Sequence, residues 1–135
     1  MSKESLHIAV IDDEEPVRKA LGRLLLSAGF AVWTFSGGKL FLDSLAARLP
    51  DCAVLDLHMP DMTGFEVLAQ LALLGSRLPV IVITGHDTPE NEDNARRGGA
   101  AAYLLKPVTD RVLLDVITTA IASADGPIPP LPSGV

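Results

Sequence analysis

At 135 residues the chain is one domain long, with apolar content enough for a core and no room for a second domain of ordinary size. A formal charge of −6 excludes a free-standing nucleic-acid binder, which needs clustered Lys and Arg against phosphate. The single cysteine, Cys52, excludes a disulfide framework or a Cys-rich metal site.

Residues 6–11, with Ile8, Val10 and Ile11, predict a first buried strand running straight into the acids Asp12-Asp13-Glu14-Glu15. Pro16 suits the first turn of a helix, and the acids beside it suit the positive end of the helix dipole. Val17, Ala20, Leu21, Leu24, Leu25 and Ala28 recur at helical spacing, with Gly29 as the stop. Residues 30–35 predict a second strand in which Trp33 is packing. After Gly37-Gly38, the apolar residues Leu40, Phe41, Leu45 and Leu49 predict a helix that ends before Pro50.

Residues 52–55 predict a third strand, apolar throughout, with Cys52 as a core thiol and Asp56 at its end. The loop 59–64 leads to a third helix marked by Val67, Leu68, Leu71 and Leu74, closed by Gly75. Residues 80–83 form the fourth predicted strand, ending at Thr84, with Gly85 and His86 next. Residues 100–105 form the fifth, ending in Lys106-Pro107. Val112, Leu113, Val116, Ile117, Ala120 and Ile121 pattern the last helix. Between these, residues 88–99 offer no apolar side chain from Pro89 until Ala95, so a helix there has little to bury and is expected to be short, displaced or mobile. Residues 125–135 are Pro-rich and predict an extended, disordered linker or tail, leaving 1–124 as the folded domain. No signal-peptide or bilayer-length apolar run is present, so a cytoplasmic location without membrane association is expected.

Five strands alternating with helices specify an α/β fold: one doubly wound, parallel, flavodoxin-like sheet with helices on both faces. In strand order 2-1-3-4-5 the first and third strands meet at the switch point, where such sheets carry their sites. Asp12, Asp13 and Asp56 then converge, with Thr84 and Lys106 on the next strands out. Crowded carboxylates call for a divalent counterion, and oxygen-only donors favour Mg²⁺, with Mn²⁺ as a substitute. A lysine and a hydroxyl beside them suit a phosphoryl group in transfer, and Asp56 suits the role of nucleophile.

Over about residues 6–124 the chain resembles the receiver domains of two-component response regulators. The resemblance rests on Asp12-Asp13, on Asp56 with the Met59-Pro60…Gly64 loop, on Val82-Ile83-Thr84-Gly85, and on Tyr103 three residues before Lys106-Pro107. Thr84-Gly85-His86 and Met59-Pro60 lean towards the nitrogen-fixation regulator subfamily. The resemblance implies that Asp56 takes a phosphoryl group from a sensor histidine kinase or a histidine phosphotransfer protein. Asp13, Asp56 and the backbone carbonyl of His58 would hold Mg²⁺, with Asp12 acting directly or through a bound water. Lys106 would pair with the phosphate, and its bond to Pro107 would be cis. Thr84 and Tyr103 would form the coupled switch, read through the fourth helix, fifth strand and fifth helix by a partner or a fused output domain. His58 and His86, two positions beyond Asp56 and Thr84, would tune dephosphorylation. Leu114 and small neighbours on the last helix would offer a face for a phosphorylation-dependent homodimer.

Two enzymatic or cofactor-binding alternatives fit less well. A Mg²⁺-dependent phosphatase of the haloacid-dehalogenase type sets its nucleophile and acid two residues apart after the first strand, whereas Asp12 and Asp13 are adjacent. A flavodoxin-like cofactor binder wants Ser, Thr and Gly amides where this chain has four acids, which repel a phosphate. A receiver is a stoichiometric phosphoacceptor with slow self-dephosphorylation rather than an enzyme, and an unphosphorylated pseudo-receiver would lack site residues that are complete here.

Overall fold

The computed structural model describes residues 6–125. Of the predicted tail 125–135, Asp125 instead ends the last helix, and 126–135 lie outside the described residues. Five parallel strands, β1 (His7–Ile11), β2 (Ala31–Phe35), β3 (Cys52–Asp56), β4 (Val80–Thr84) and β5 (Ala102–Leu105), form one sheet in the order β2-β1-β3-β4-β5. Five helices connect and follow them: α1 (Glu15–Ser27), α2 (Gly38–Ser44), α3 (Gly64–Leu73), α4 (Pro89–Arg97) and α5 (Asp110–Asp125). The register pairs Ile11 with Leu55, Asp56 with Ile83 and Thr84 with Leu105, so the carboxyl ends of the strands share one edge.

The period of two along each strand divides the core. Ala9, Ile11, Ala53, Leu55, Val80 and Val82 pack with Phe41, Val67, Leu68, Leu71 and Ala95 from α2, α3 and α4. Ile8, Val10, Cys52, Val54, Ile81 and Ile83 pack on the other face with Leu25, Leu113, Ile117 and Ile121 from α1 and α5. β3 and β4 are buried at all five positions each, which is why they are apolar without alternation.

Helix ends follow local chemistry. Gly29 stops α1 at φ +97°, while its N–H donates to the Leu26 carbonyl and that of Phe30 to Leu25, a Schellman arrangement. Thr63 and Glu66 form a reciprocal capping box at the start of α3.

Three expectations are revised. The α2 helix ends at Ser44, whose hydroxyl donates to the Phe41 carbonyl; Leu45 beyond it still packs partly on the core, but Leu49 is 65% exposed and gives a longer helix little to bury. The fifth strand starts at Ala102. Ala100 instead donates to the Ala95 carbonyl to close α4, and Ala101 to Val80. The segment after Thr88 is a regular nine-residue helix whose first turn is capped by the Thr88 hydroxyl accepting from the Asn91 N–H, yet it buries only Ala95. Leu114 is partly buried and packs against the α1/α5 core layer.

Trp33 serves as packing, as expected: His7 stacks on it at 4.5 Å and the Arg48 guanidinium lies 3.7 Å from its ring centre. The Lys106-Pro107 bond is cis, also as expected. No helix among the described residues is long and apolar enough to cross a membrane.

Candidate functional site

The site is assembled where β1 and β3 end side by side. The Asp12 N–H still donates to Phe35 O as the sheet ladder runs out, which fixes its side chain beneath the loop. That side chain is fully buried. One carboxylate oxygen accepts from the Glu14 N–H at 2.9 Å and the other from Lys106 Nζ at 2.9 Å. Arg18, in the first turns of α1, donates to the Asp12 carbonyl at 2.7 Å.

Asp56 closes β3 and is 3% exposed. Its carboxylate lies 3.5 Å from Lys106 Nζ. Asp13 stands on the solvent side. One oxygen from each of Asp12, Asp13 and Asp56 lies within 4.8 Å of the others.

Gly64 lets α3 start close to this strand end. A Cβ there would meet the Asp56 carbonyl oxygen at 2.7 Å and Leu57 Cα at 2.8 Å.

Charge crowding shows in the protonation equilibria. Burial, then the neighbouring Asp12 charge, pushes the Asp56 carboxyl above the ordinary carboxylate range, against the pull of Lys106 and the His58 N–H. Burial works against the Lys106 charge, but the Asp12 hydrogen bond and the charges of Asp56, Asp12 and Glu14 outweigh it and raise the amine. One ammonium therefore sits among three acids, with Glu14 at 4.0 Å completing its surroundings. The surplus negative charge and an all-oxygen donor set fit a hard divalent cation.

Thr84 ends β4 fully buried, but its hydroxyl is turned onto its own loop. It accepts from the His86 N–H at 3.0 Å and donates to the His86 carbonyl at 3.2 Å. The Tyr103 hydroxyl donates to Asp87 at 3.1 Å. Its phenol is raised by burial, then by the Asp87 hydrogen bond and charge, with the Asn91 amide opposing. His58 and His86 are both exposed and meet edge to face, ring centres 4.6 Å apart. The sequence reading thus places the acid trio and Lys106 together, with Thr84 and Tyr103 on the adjoining strands. It passed over Arg18, Asp87 and Asn91. The one local signal for Asn91 was the Thr88-Pro89-Glu90-Asn91 helix start.

A doubly wound sheet with an acid trio and a lysine at its switch point is the design of a phosphorylation-responsive receiver. The chain belongs to the response regulator receiver domain family, whose model matches residues 8–118, and so to two-component signalling.

Among individual proteins it is similar to the transcriptional regulatory protein FixJ of Bradyrhizobium diazoefficiens, 38% identical over 119 residues, covering 88% of this chain and 58% of that protein. It is also similar to the response regulator protein TodT of Pseudomonas putida, 35% identical over 124 residues, covering 92% of this chain and 55% of that one. The crystal structure of FixJ-N superposes with a TM-score of 0.82 at 37% identity, covering 87% of this chain and 94% of that one. These relatives bear out the lean towards the nitrogen-fixation regulator subfamily. The chain spans just over half the length of the curated relatives it matches.

Proposed function

We propose that Asp56 accepts a phosphoryl group from the phosphohistidine of a sensor kinase or histidine phosphotransfer protein. An Asp56 carboxylate oxygen attacks phosphorus, the phosphorus–nitrogen bond breaks, and the imidazole nitrogen leaves with the electron pair and takes up a proton. The observation that carries this reading is a buried carboxylate at a strand end, 3.5 Å from a lysine and grouped with two further acids.

Asp12, Asp13, Asp56 and the His58 carbonyl are the groups that would hold Mg²⁺, or Mn²⁺ in its place. Bound there, the ion would offset the repulsion between the acids and an incoming phosphoryl group. Lys106 pairs with a phosphoryl oxygen, and Asp12 keeps its ammonium in place. Thr84 gives up its loop bonds to donate to the phosphate while Tyr103 leaves Asp87. The face formed by α4, β5 and α5 then changes for a partner or an output domain. The exposed His58 and His86 rings meet where they can slow or pass the water that hydrolyses the acyl phosphate. Turnover is slow and stoichiometric.

Incubation with a small phosphodonor, with Mg²⁺ or with a chelator, followed by intact mass, tests this. One phosphoryl group per chain is expected with Mg²⁺, and none with chelator or in Asp56→Asn. His58→Ala and His86→Ala should change the decay of the label while leaving Mg²⁺ affinity near wild type. An unmodified wild-type chain, or labelling that survives Asp56→Asn, would overturn the reading and leave an unphosphorylated interaction module in its place.

A further inference from the structure

The loop between β4 and α4 is held by hydrogen bonds rather than by packing. At Gly85 a Cβ would meet nothing within 4 Å, and residues 85–90 are all exposed. The helix that follows buries only Ala95. Against that sparse packing stand two side-chain bonds from two different elements. The Asn91 amide, in the first turn of α4, donates to the His86 carbonyl at 2.9 Å. The Tyr103 hydroxyl, on β5, donates to the Asp87 carboxylate at 3.1 Å. Both bonds fix the stretch of backbone that engages the Thr84 hydroxyl.

We propose that Asp87 and Asn91 are positioning residues for the phosphoacceptor site: they hold this loop in the conformation that keeps Thr84 away from Asp56, and so set how readily Asp56 is phosphorylated. The inference rests on reading Asp56 as the phosphoacceptor. Thr84 can turn towards Asp56 only by releasing the His86 N–H and carbonyl. While Asn91 pins that carbonyl and Asp87 pins the next residue to β5, the released conformation is a minor population. Removing either bond raises that population, and a phosphoryl group that favours the released conformation is then taken up more readily.

The test is a double-mutant cycle on the full chain, read by amide exchange without phosphodonor and by the labelling rate with one. In Asp87→Ala, Asn91→Ala and Tyr103→Phe, amides of residues 85–97 should exchange about three- to tenfold faster, as expected for one net hydrogen bond each, and labelling should accelerate by a similar factor. Asp87→Ala and Tyr103→Phe should be non-additive because they remove the same bond. Asp87→Asn should stay near wild type in both readouts, since its amide oxygen still accepts from the phenol.

Unchanged exchange, additive effects of Asp87→Ala and Tyr103→Phe, or an Asp87→Asn variant as altered as Asp87→Ala would each overturn the proposal. So would faster exchange with labelling unchanged. If the wild type takes no label at all, the reading of Asp56 fails, and the exchange cycle alone still decides whether these residues hold the loop.

Discussion

The end of β3 and the start of α4 lie across the same site, yet they are held by different forces. β3 is buried at every position and delivers Asp56 into a pocket whose neighbours are strand backbone, a capped helix start and a lysine. The α4 helix is regular and well capped but buries one alanine. The contrast shows how a small domain divides its labour. Like charges stay together only where dense packing over-determines their positions. A segment that must shift is fixed by a few hydrogen bonds, each of about 0.5–1.5 kcal/mol net, so its alternatives stay within reach.

Two glycines test that division most severely. Gly64 faces backbone atoms that cannot yield, so Gly64→Ala must push α3 away from the end of β3. A loss of about 1–3 kcal/mol, read from the urea midpoint, is expected from such overpacking. Gly85→Ala, across the site, meets open space and should stay within about 0.5 kcal/mol of wild type. Equal effects at the two positions would erase the distinction between the halves.

Charge at the packed end gives the next prediction, smaller and opposite in sign. Burial and Asp12 raise the Asp56 carboxyl above its ordinary range, so in this window the folded chain binds a proton that the unfolded chain releases. Stability therefore falls as pH rises from the ordinary carboxylate range through the raised value, and the penalty is complete only above it. In chelator at pH 7, Asp56→Asn should accordingly melt above wild type although it takes no label. Mg²⁺ should narrow the gap by stabilising the wild type more. A melting point below wild type in chelator would mean that the Lys106 pairing outweighs burial and repulsion.

The same division explains what could be read from the sequence. β1, β3 and β4 were legible because strands buried on both faces must be apolar runs, and each ends at a residue of another chemical kind, Asp12, Asp56 or Thr84. Their convergence was not in the periodicity. It required the strand order 2-1-3-4-5, which was assumed for a doubly wound sheet and not read from any residue pattern. The far end of α2 was misjudged because Leu45 and Leu49 keep helical spacing although Leu45 is only partly buried and Leu49 is 65% exposed, and spacing does not report burial. Asp87 and Asn91 stayed hidden among polar neighbours. One reaches a tyrosine 16 residues away, and the other reaches a backbone carbonyl that no side-chain pattern reveals.

The mildest probe separates the halves by timescale and leaves the chain unmutated. Cys52 lies between β1 and β4 in the middle of the sheet, fully buried, and burial pushes its thiol up to about 12. A thiol reagent at pH 8 needs the thiolate, so Cys52 should stay unlabelled until the sheet itself opens and should then react at the rate of global unfolding. Amides of α4, held by its cap and one buried alanine, should exchange through local opening long before that, and faster than those of α5. Phosphorylation, which releases the bonds that Thr84 and Tyr103 make to this loop, should speed exchange at the start of α4 while leaving the Cys52 labelling rate almost unchanged, because the switch works on the lightly packed half alone. If α4 amides instead exchange in step with Cys52 labelling, the domain opens as one unit, and the loop bonds described here cannot serve as an independent control on the site.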